Sequence, residues 1–245
     1  MLLLALAVAP GIAVCLFIYS LYEFGKGSMR YLIIAFLLGA VATLPPLGIQ
    51  WLAVDVRNEP WQHSIPAYLW YAYVVVALSE EGSKFLVLRF YAYPKRAFRE
   101  PFDGVIYSVM IGMGFATVEN IEYVHQFGLE TGVSRFFLAI PAHAAFAVLM
   151  GYPVGRAKFA SSGMAFWLMV KGLLVAVFFH GSFDLFLFLQ QSRQATKYLS
   201  TGVLSFGTFA TFYIAVRLAM RALRTRMAEE QNDRTINYPQ NEKDG

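Results

Sequence analysis

Apolar blocks about 20 residues long recur along this chain, separated by short polar connections, and they constrain the fold more than any other feature. A helix rises 1.5 Å per residue, so roughly 20 residues cross the ~30 Å of a bilayer's hydrocarbon. With 58% of its 245 residues hydrophobic and only 15% charged, the chain has more apolar sequence than a soluble core of this size can bury. Lipid offers the backbone no hydrogen bonds, so spanning segments must satisfy themselves as helices. The expectation is an all-α integral membrane protein, a polytopic bundle of about seven transmembrane helices. The spans fall at approximately Leu2–Leu21, Tyr31–Trp51, Ala67–Phe90, Gly104–Val124, Phe136–Val154, Met164–Leu189 and Tyr198–Leu218. Residues 1–218 read as one transmembrane domain with a catalytic core at about 67–190, and residues 219–245 as a disordered cytoplasmic tail. The first block has no basic n-region and no small-residue cleavage site, so it reads as a retained helix rather than a signal peptide.

One set of alternate connections holds ten Lys and Arg residues, among them Lys26, Arg30, Lys95, Arg96, Arg156 and Lys158. The other holds Arg57, Arg135, Arg193 and Lys197. The positive-inside bias then puts the N-terminus outside and the C-terminus in the cytoplasm. Apposition to anionic lipid accounts for the net charge of +4 without any nucleic acid. Cys15, the only cysteine, lies inside the first apolar block, which argues against a disulfide within the chain, a thiolate zinc site and a cysteine nucleophile.

Four spans carry polar residues that lipid does not tolerate without a reason. The third holds Ser79-Glu80-Glu81-Gly82-Ser83-Lys84 between apolar flanks. Glu80 and Lys84 are i,i+4 on a helix and can share a face, so Lys84 can offset one carboxylate and leave the other for chemistry. The fourth ends with Glu119-Asn120, and its small residues Gly104, Ser108, Gly112 and Ala116 form an i,i+4 stripe suited to close helix packing. The fifth carries His143 after Pro141, a proline expected to free a carbonyl and bend the helix. The sixth carries His180 and Asp184, again i,i+4, so that the carboxylate orients the imidazole. Lys171, nearer the other end of that span, reads as a snorkelling side chain.

A carboxylate in a low-dielectric cavity beside a cation can accept a proton from water, which makes Glu81 a candidate general base. His143 and His180 are candidates to polarise a carbonyl or stabilise an oxyanion, with Asn120 as a neutral donor. Hydrolysis of an amide or ester within the membrane suits the set, and the same residue types bind Zn²⁺. The sequence has no His-Glu-x-x-His, no Gly-x-Gly-Asp and no exposed Ser in a Gly-x-Ser-Gly setting.

Glu80-Glu81-x-x-Lys84, Phe115-x-x-x-Glu119-Asn120, His143 with Gly151 eight residues on, and His180-Gly-x-x-Asp184 occur in the order and approximate spacing of the four motifs of the PrsW family of intramembrane proteases. The chain resembles that family over about residues 67–190, and more distantly the CAAX prenyl endopeptidase and Abi membrane proteases, whose Glu-Glu pair is followed by Arg rather than Lys. The resemblance implies that Glu80 and Glu81 supply the catalytic carboxylate, with Glu119, His143, His180 and Asp184 completing the site and Lys84 and Asn120 supporting it. It implies a bacterial, multi-pass cell-membrane protease that makes the first, extracytoplasmic-side cut in a single-span, anti-sigma-factor-like substrate. The family is also classed with metallopeptidases, so Zn²⁺ on Glu81, His143, His180 and Asp184 is the alternative to a glutamate mechanism. A proton-coupled transporter also places Glu, His and Asp mid-membrane, but it is expected to show repeats that this sequence lacks. A non-catalytic scaffold needs no intact Glu80-Glu81 pair.

Overall fold

The computed structural model describes residues 2–20, 29–55 and 64–237, and among them every regular element is helical. Lys26 and Arg57 lie outside the described residues. The helices are α1 (Leu2–Ser20), α2 (Met29–Val41), α3 (Leu44–Asp55), α4 (Ile65–Trp70), α5 (Ser79–Val87), α6 (Pro101–Phe137), α7 (Ala139–Ala157), α8 (Ser162–Leu189), α9 (Arg193–Tyr198) and α10 (Thr201–Asn237). Wider π-helical segments, Tyr71–Leu78 and Leu88–Ala92, flank α5, so residues 65–92 form one helical run.

Five stretches are long and apolar enough to cross a membrane: Leu3–Ser20, Met29–Ala53, Pro101–Phe137, Ser162–Leu189 and Thr201–Thr225. The run 65–92 and α7 fall outside this group for a chemical reason. Glu80, Glu81, Lys84 and Arg89 lie in the first, and His143, Pro141, Pro153 and Arg156 in the second. Large apolar side chains such as Leu16, Leu37, Phe90, Trp167 and Phe206 point away from the bundle, as lipid-facing residues do.

α6 is the central helix. It packs on α7, α1 and α2, and is buried along most of its length. Pro101 occupies its first turn, where the missing N–H costs nothing, and Asp103 Oδ2 accepts from the backbone N–H groups of Arg99 (2.6 Å) and Glu100 (2.9 Å). The small-residue stripe does face another helix. A Cβ on Gly104 would collide with the backbone of Gly151 and Gly155 on α7, and one on Gly112 would press on Ala147. Gly114 makes the same close approach to Phe36 of α2.

Three sequence expectations change. The connection expected between Val124 and Phe136 is helical, because α6 continues through it and redirects only at Gly128, whose φ of 80° and ψ of −158° suit glycine alone. Pro141 does not bend a helix; it sits in the first turn of α7, where there is no intrahelical bond to lose. α10 continues beyond Leu218 to Asn237, since residues 219–237 include Ala, Leu, Met, Arg, Glu and Gln and neither Pro nor Gly.

Candidate active site

The π-helical turns determine where the α5 side chains point. A π turn leaves carbonyls without their i+4 donors, and Ser79 Oγ donates to two of them, Val75 O (2.5 Å) and Val76 O (3.0 Å). The wider turn rotates the next residues so that Glu80, Glu81, Ser83 and Lys84 are all buried in the bundle. Glu81 is only 1% exposed.

Lys84 distinguishes the two glutamates. Its Nζ donates to Glu81 Oε1 at 2.7 Å and lies 3.7 Å from Glu80 Oε2. Glu81 Oε1 is also 2.8 Å from His180 Nδ1. Glu81 is therefore the neutralised, structurally engaged carboxylate. Glu80 receives Gln50 Nε2 of α3 on Oε1 (3.2 Å), while its Oε2 is buried without a hydrogen-bond partner. Lys84 also lies 4.1 Å from the centre of the Phe115 ring, whose face stabilises the cation.

The histidines arrive from α7 and α8 with their rings edge to face, centroids 5.2 Å apart, and Phe146 stacks on His180. Lys84 Nζ lies 3.3 Å from His143 Nδ1, and a charged ammonium can only donate. His143 Nδ1 then accepts, leaving the proton on Nε2, 2.9 Å from Glu119 Oε2. The corresponding nitrogen of His180 faces two carboxylates, Asp184 Oδ2 at 3.1 Å and Glu80 Oε2 at 3.9 Å. A ring nitrogen between two acceptors needs a proton or a metal cation. Gly181 is required beside it, because a Cβ there would strike the Tyr73 ring, whose hydroxyl meets Ser182 Oγ at 2.6 Å.

All six candidate residues, Glu80, Glu81, Glu119, His143, His180 and Asp184, thus join one connected cluster. Asn120 joins it in a different way from that expected. Its Nδ2 donates to Leu6 O and Ala7 O of α1 and its Oδ1 accepts from Arg135 Nε (2.8 Å), so it has no donor left to offer a substrate. Arg135 is the residue that sequence reasoning missed. Its place between two apolar blocks marks it only as a loop cation, yet Arg135 Nη2 lies 3.2 Å from Glu119 Oε2 and the guanidinium covers Tyr123. No sequence signal places it here, because the return depends on the turn at Gly128.

A cavity of about 180 Å³ opens from this cluster between α3 and α6. Thr43, Pro46, Leu47 and Gln50 line one side and Phe115, Glu119, Tyr123 and Phe127 the other, with Glu80 reaching it from α5. Pro45 and Pro46 in the first turn of α3 set the break from α2 that shapes this wall.

The donor set fits a divalent metal. One ligand atom each from Glu80, His143 and His180 lies within 4.8 Å of the others, a Glu-plus-two-His combination typical of hydrolytic zinc. Glu81 and Asp184 fall outside that triplet. Four carboxylates, Glu80, Glu81, Glu119 and Asp184, face two permanent cations, Lys84 and Arg135, a surplus that a divalent ion, or in part a protonated His180, would offset.

Residues 27–218 match the family model described as PrsW family intramembrane metalloprotease. The chain belongs to the PrsW family. It is similar to the protease PrsW of Geobacillus kaustophilus, 34% identical over 184 residues covering 74% of this chain and 78% of that one. It is also similar to those of Shouchella clausii (32% over 181 residues, 74% and 81% covered) and Bacillus subtilis (29% over 185 residues, 76% and 82% covered). No solved structure matches the chain significantly. As a PrsW protein it is a peptidase and a multi-pass bacterial membrane protein.

Proposed function

We propose that this PrsW protein cuts a single-span, anti-sigma-factor-like membrane protein near its extracytoplasmic side. The observation that carries the reading is Glu80, more deeply buried than Glu119, with an Oε2 that accepts no hydrogen bond and lies within ion-pair range of Lys84 and His180, at a cavity that opens along the α3 and α6 wall. Counting the run 65–92 and α7 with the five apolar stretches gives seven crossings. With the N-terminus outside, α6 runs outward from Pro101, and the cavity residues Glu119 to Phe127 lie toward the external end. The cut then falls on the extracytoplasmic side, and residues 219–245 follow the last crossing into the cytoplasm.

In this reading water held at Glu80 Oε2 gives its proton to that carboxylate as its oxygen adds to the scissile carbonyl carbon. His180, protonated on both nitrogens between Glu81 and Asp184, places its positive charge beside the oxygen on which charge develops, and turning Nε2–H from Asp184 to that oxygen supplies the donor. The C–N bond then breaks, and the proton taken from water passes to the leaving amine nitrogen. Glu81 and Lys84 act as a paired unit that holds His180 and His143 in register. If the protein carries zinc, Glu80, His143 and His180 would hold it, Glu119 would be the carboxylate left facing the cavity, and the ion would supply Lewis acidity toward the carbonyl.

The test is cleavage of a single-span substrate in liposomes by wild type, Glu80→Gln, Glu81→Gln and His180→Ala, each with and without chelator, alongside metal analysis of the purified proteins. Loss of cleavage in all three variants is the expected result. Chelator sensitivity, with stoichiometric zinc lost in Glu80→Gln and His180→Ala, selects the metal form. Cleavage by all variants at the wild-type rate would remove the site assignment.

A further inference from the structure

We propose that Arg135 is a positioning residue for His143, acting through Glu119 and anchored on α1. The proposal rests on the reading of this cluster as the hydrolytic site and adds a residue to it. Four observations link up. Pro10 lies inside α1 and has no N–H, so the carbonyl of Leu6, four residues earlier, loses its helical donor. Asn120 Nδ2 fills that gap, 3.4 Å from Leu6 O and 3.0 Å from Ala7 O, which fixes the carboxamide with its oxygen turned the other way. Asn120 Oδ1 accepts from Arg135 Nε at 2.8 Å, and Asn120 is fully buried. Arg135 Nη2 then lies in ion-pair range of Glu119 Oε2, 3.2 Å away with no hydrogen bond aligned between them, and the same oxygen lies 2.9 Å from His143 Nε2.

The guanidinium suits this task because its fork can engage a carboxamide with one nitrogen and a carboxylate with another, which an ammonium cannot do in the same geometry. Tyr123, 4.1 Å beneath it, fixes its plane. Glu119 would otherwise be a half-buried carboxylate shared between His143 and the cavity, with freedom to swing into the latter. With Arg135 present, Glu119 is held beside His143, and the imidazole stays between Lys84 and Glu119. Arg135 reaches the site from beyond the Gly128 turn, so the outer limb of α6 serves as a strap that closes the network from above.

The test compares wild type, Arg135→Ala, Arg135→Lys and Glu81→Gln in liposomes, measuring kcat and KM separately, with and without guanidinium at a sub-denaturing concentration. Arg135→Ala is expected to lower kcat by ~10- to 100-fold, the scale of small misplacements in an active site, with KM within about twofold of wild type. Guanidinium is expected to restore part of that loss, Arg135→Lys to lie between, and Glu81→Gln to stay inactive throughout. In ¹⁵N NMR of the resting protein, Arg135→Ala is expected to shift the His143 ring resonances and leave those of exposed His125 in place. Wild-type turnover in Arg135→Ala, or a loss that guanidinium does not relieve together with unmoved His143 resonances, would overturn the proposal. If wild type and Glu81→Gln behave alike, the hydrolytic reading fails, and the ¹⁵N comparison still decides the role of Arg135. Should Arg135→Ala fail to fold, Arg135→Lys carries both measurements: unchanged kcat and His143 resonances there count against the proposal, and an intermediate kcat with shifted resonances supports it.

Discussion

At the residue scale the two adjacent glutamates illustrate how geometry separates identical side chains. On an ideal helix Lys84 can face Glu80, four residues away, or Glu81, three away, and it bonds Glu81 at 2.7 Å while staying 3.7 Å from Glu80. A buried pair broken on one side leaves an uncompensated charge, at a cost of about 3–5 kcal/mol. Lys84→Met should therefore lower thermal stability in detergent as well as abolish cleavage. The double variant Lys84→Met/Glu81→Gln should recover most of the stability and none of the activity. Differential scanning fluorimetry alongside a cleavage assay separates the two effects, and equal melting of the single and double variants would count against the buried pair.

At the element scale the α6 and α7 contact holds His143 opposite Glu119. Gly104, Gly151 and Gly155 let the two backbones touch, and a side chain on Gly155 would drive into the backbone at Pro101. Gly155→Val should force the helices apart, with overpacking costs of about 1–3 kcal/mol or more, and reduce activity through displacement of His143. Gly82→Ala is the control. A Cβ there meets nothing within 4 Å, and Ala is the better helix former by about 1 kcal/mol, so Gly82→Ala should be neutral or stabilising. Comparable melting temperatures for the two variants would contradict close α6 and α7 packing.

At the scale of the whole molecule the site is assembled from α5, α6, α7 and α8, with α1 and α3 supporting it from outside. Only a bundle in register can do this, because no two of the motifs are close in the chain. The orientation that places the cavity outward makes its own prediction. In a Cys15→Ala background, Gln240→Cys should resist a membrane-impermeant maleimide in intact cells and react after permeabilisation. Labelling of intact cells would invert the topology, and with it the side on which the substrate is cut.

The sequence by itself determined that this is a helical membrane protein, and which residues are the candidates for its chemistry. Apolar length sets the spans, and charges inside them are too costly to persist without a role. The family motifs, read in order, named Glu80, Glu81, Glu119, His143, His180 and Asp184, and all six meet in one cluster. Tertiary structure decided what each of them touches. Within α5 Lys84 can reach Glu80 at i,i+4 or Glu81 at i,i+3, and the docking of α8, which brings His180 onto Glu81, goes with the choice of Glu81, a contact that leaves no periodic mark in a sequence. The turn at Gly128 returned Arg135 to Glu119, and the proline gap in α1 consumed the donors of Asn120. Arg135 and Ala7, the partners of Asn120, are 15 and 113 residues from it in the chain, and contacts at such separations are fixed only when the helices dock.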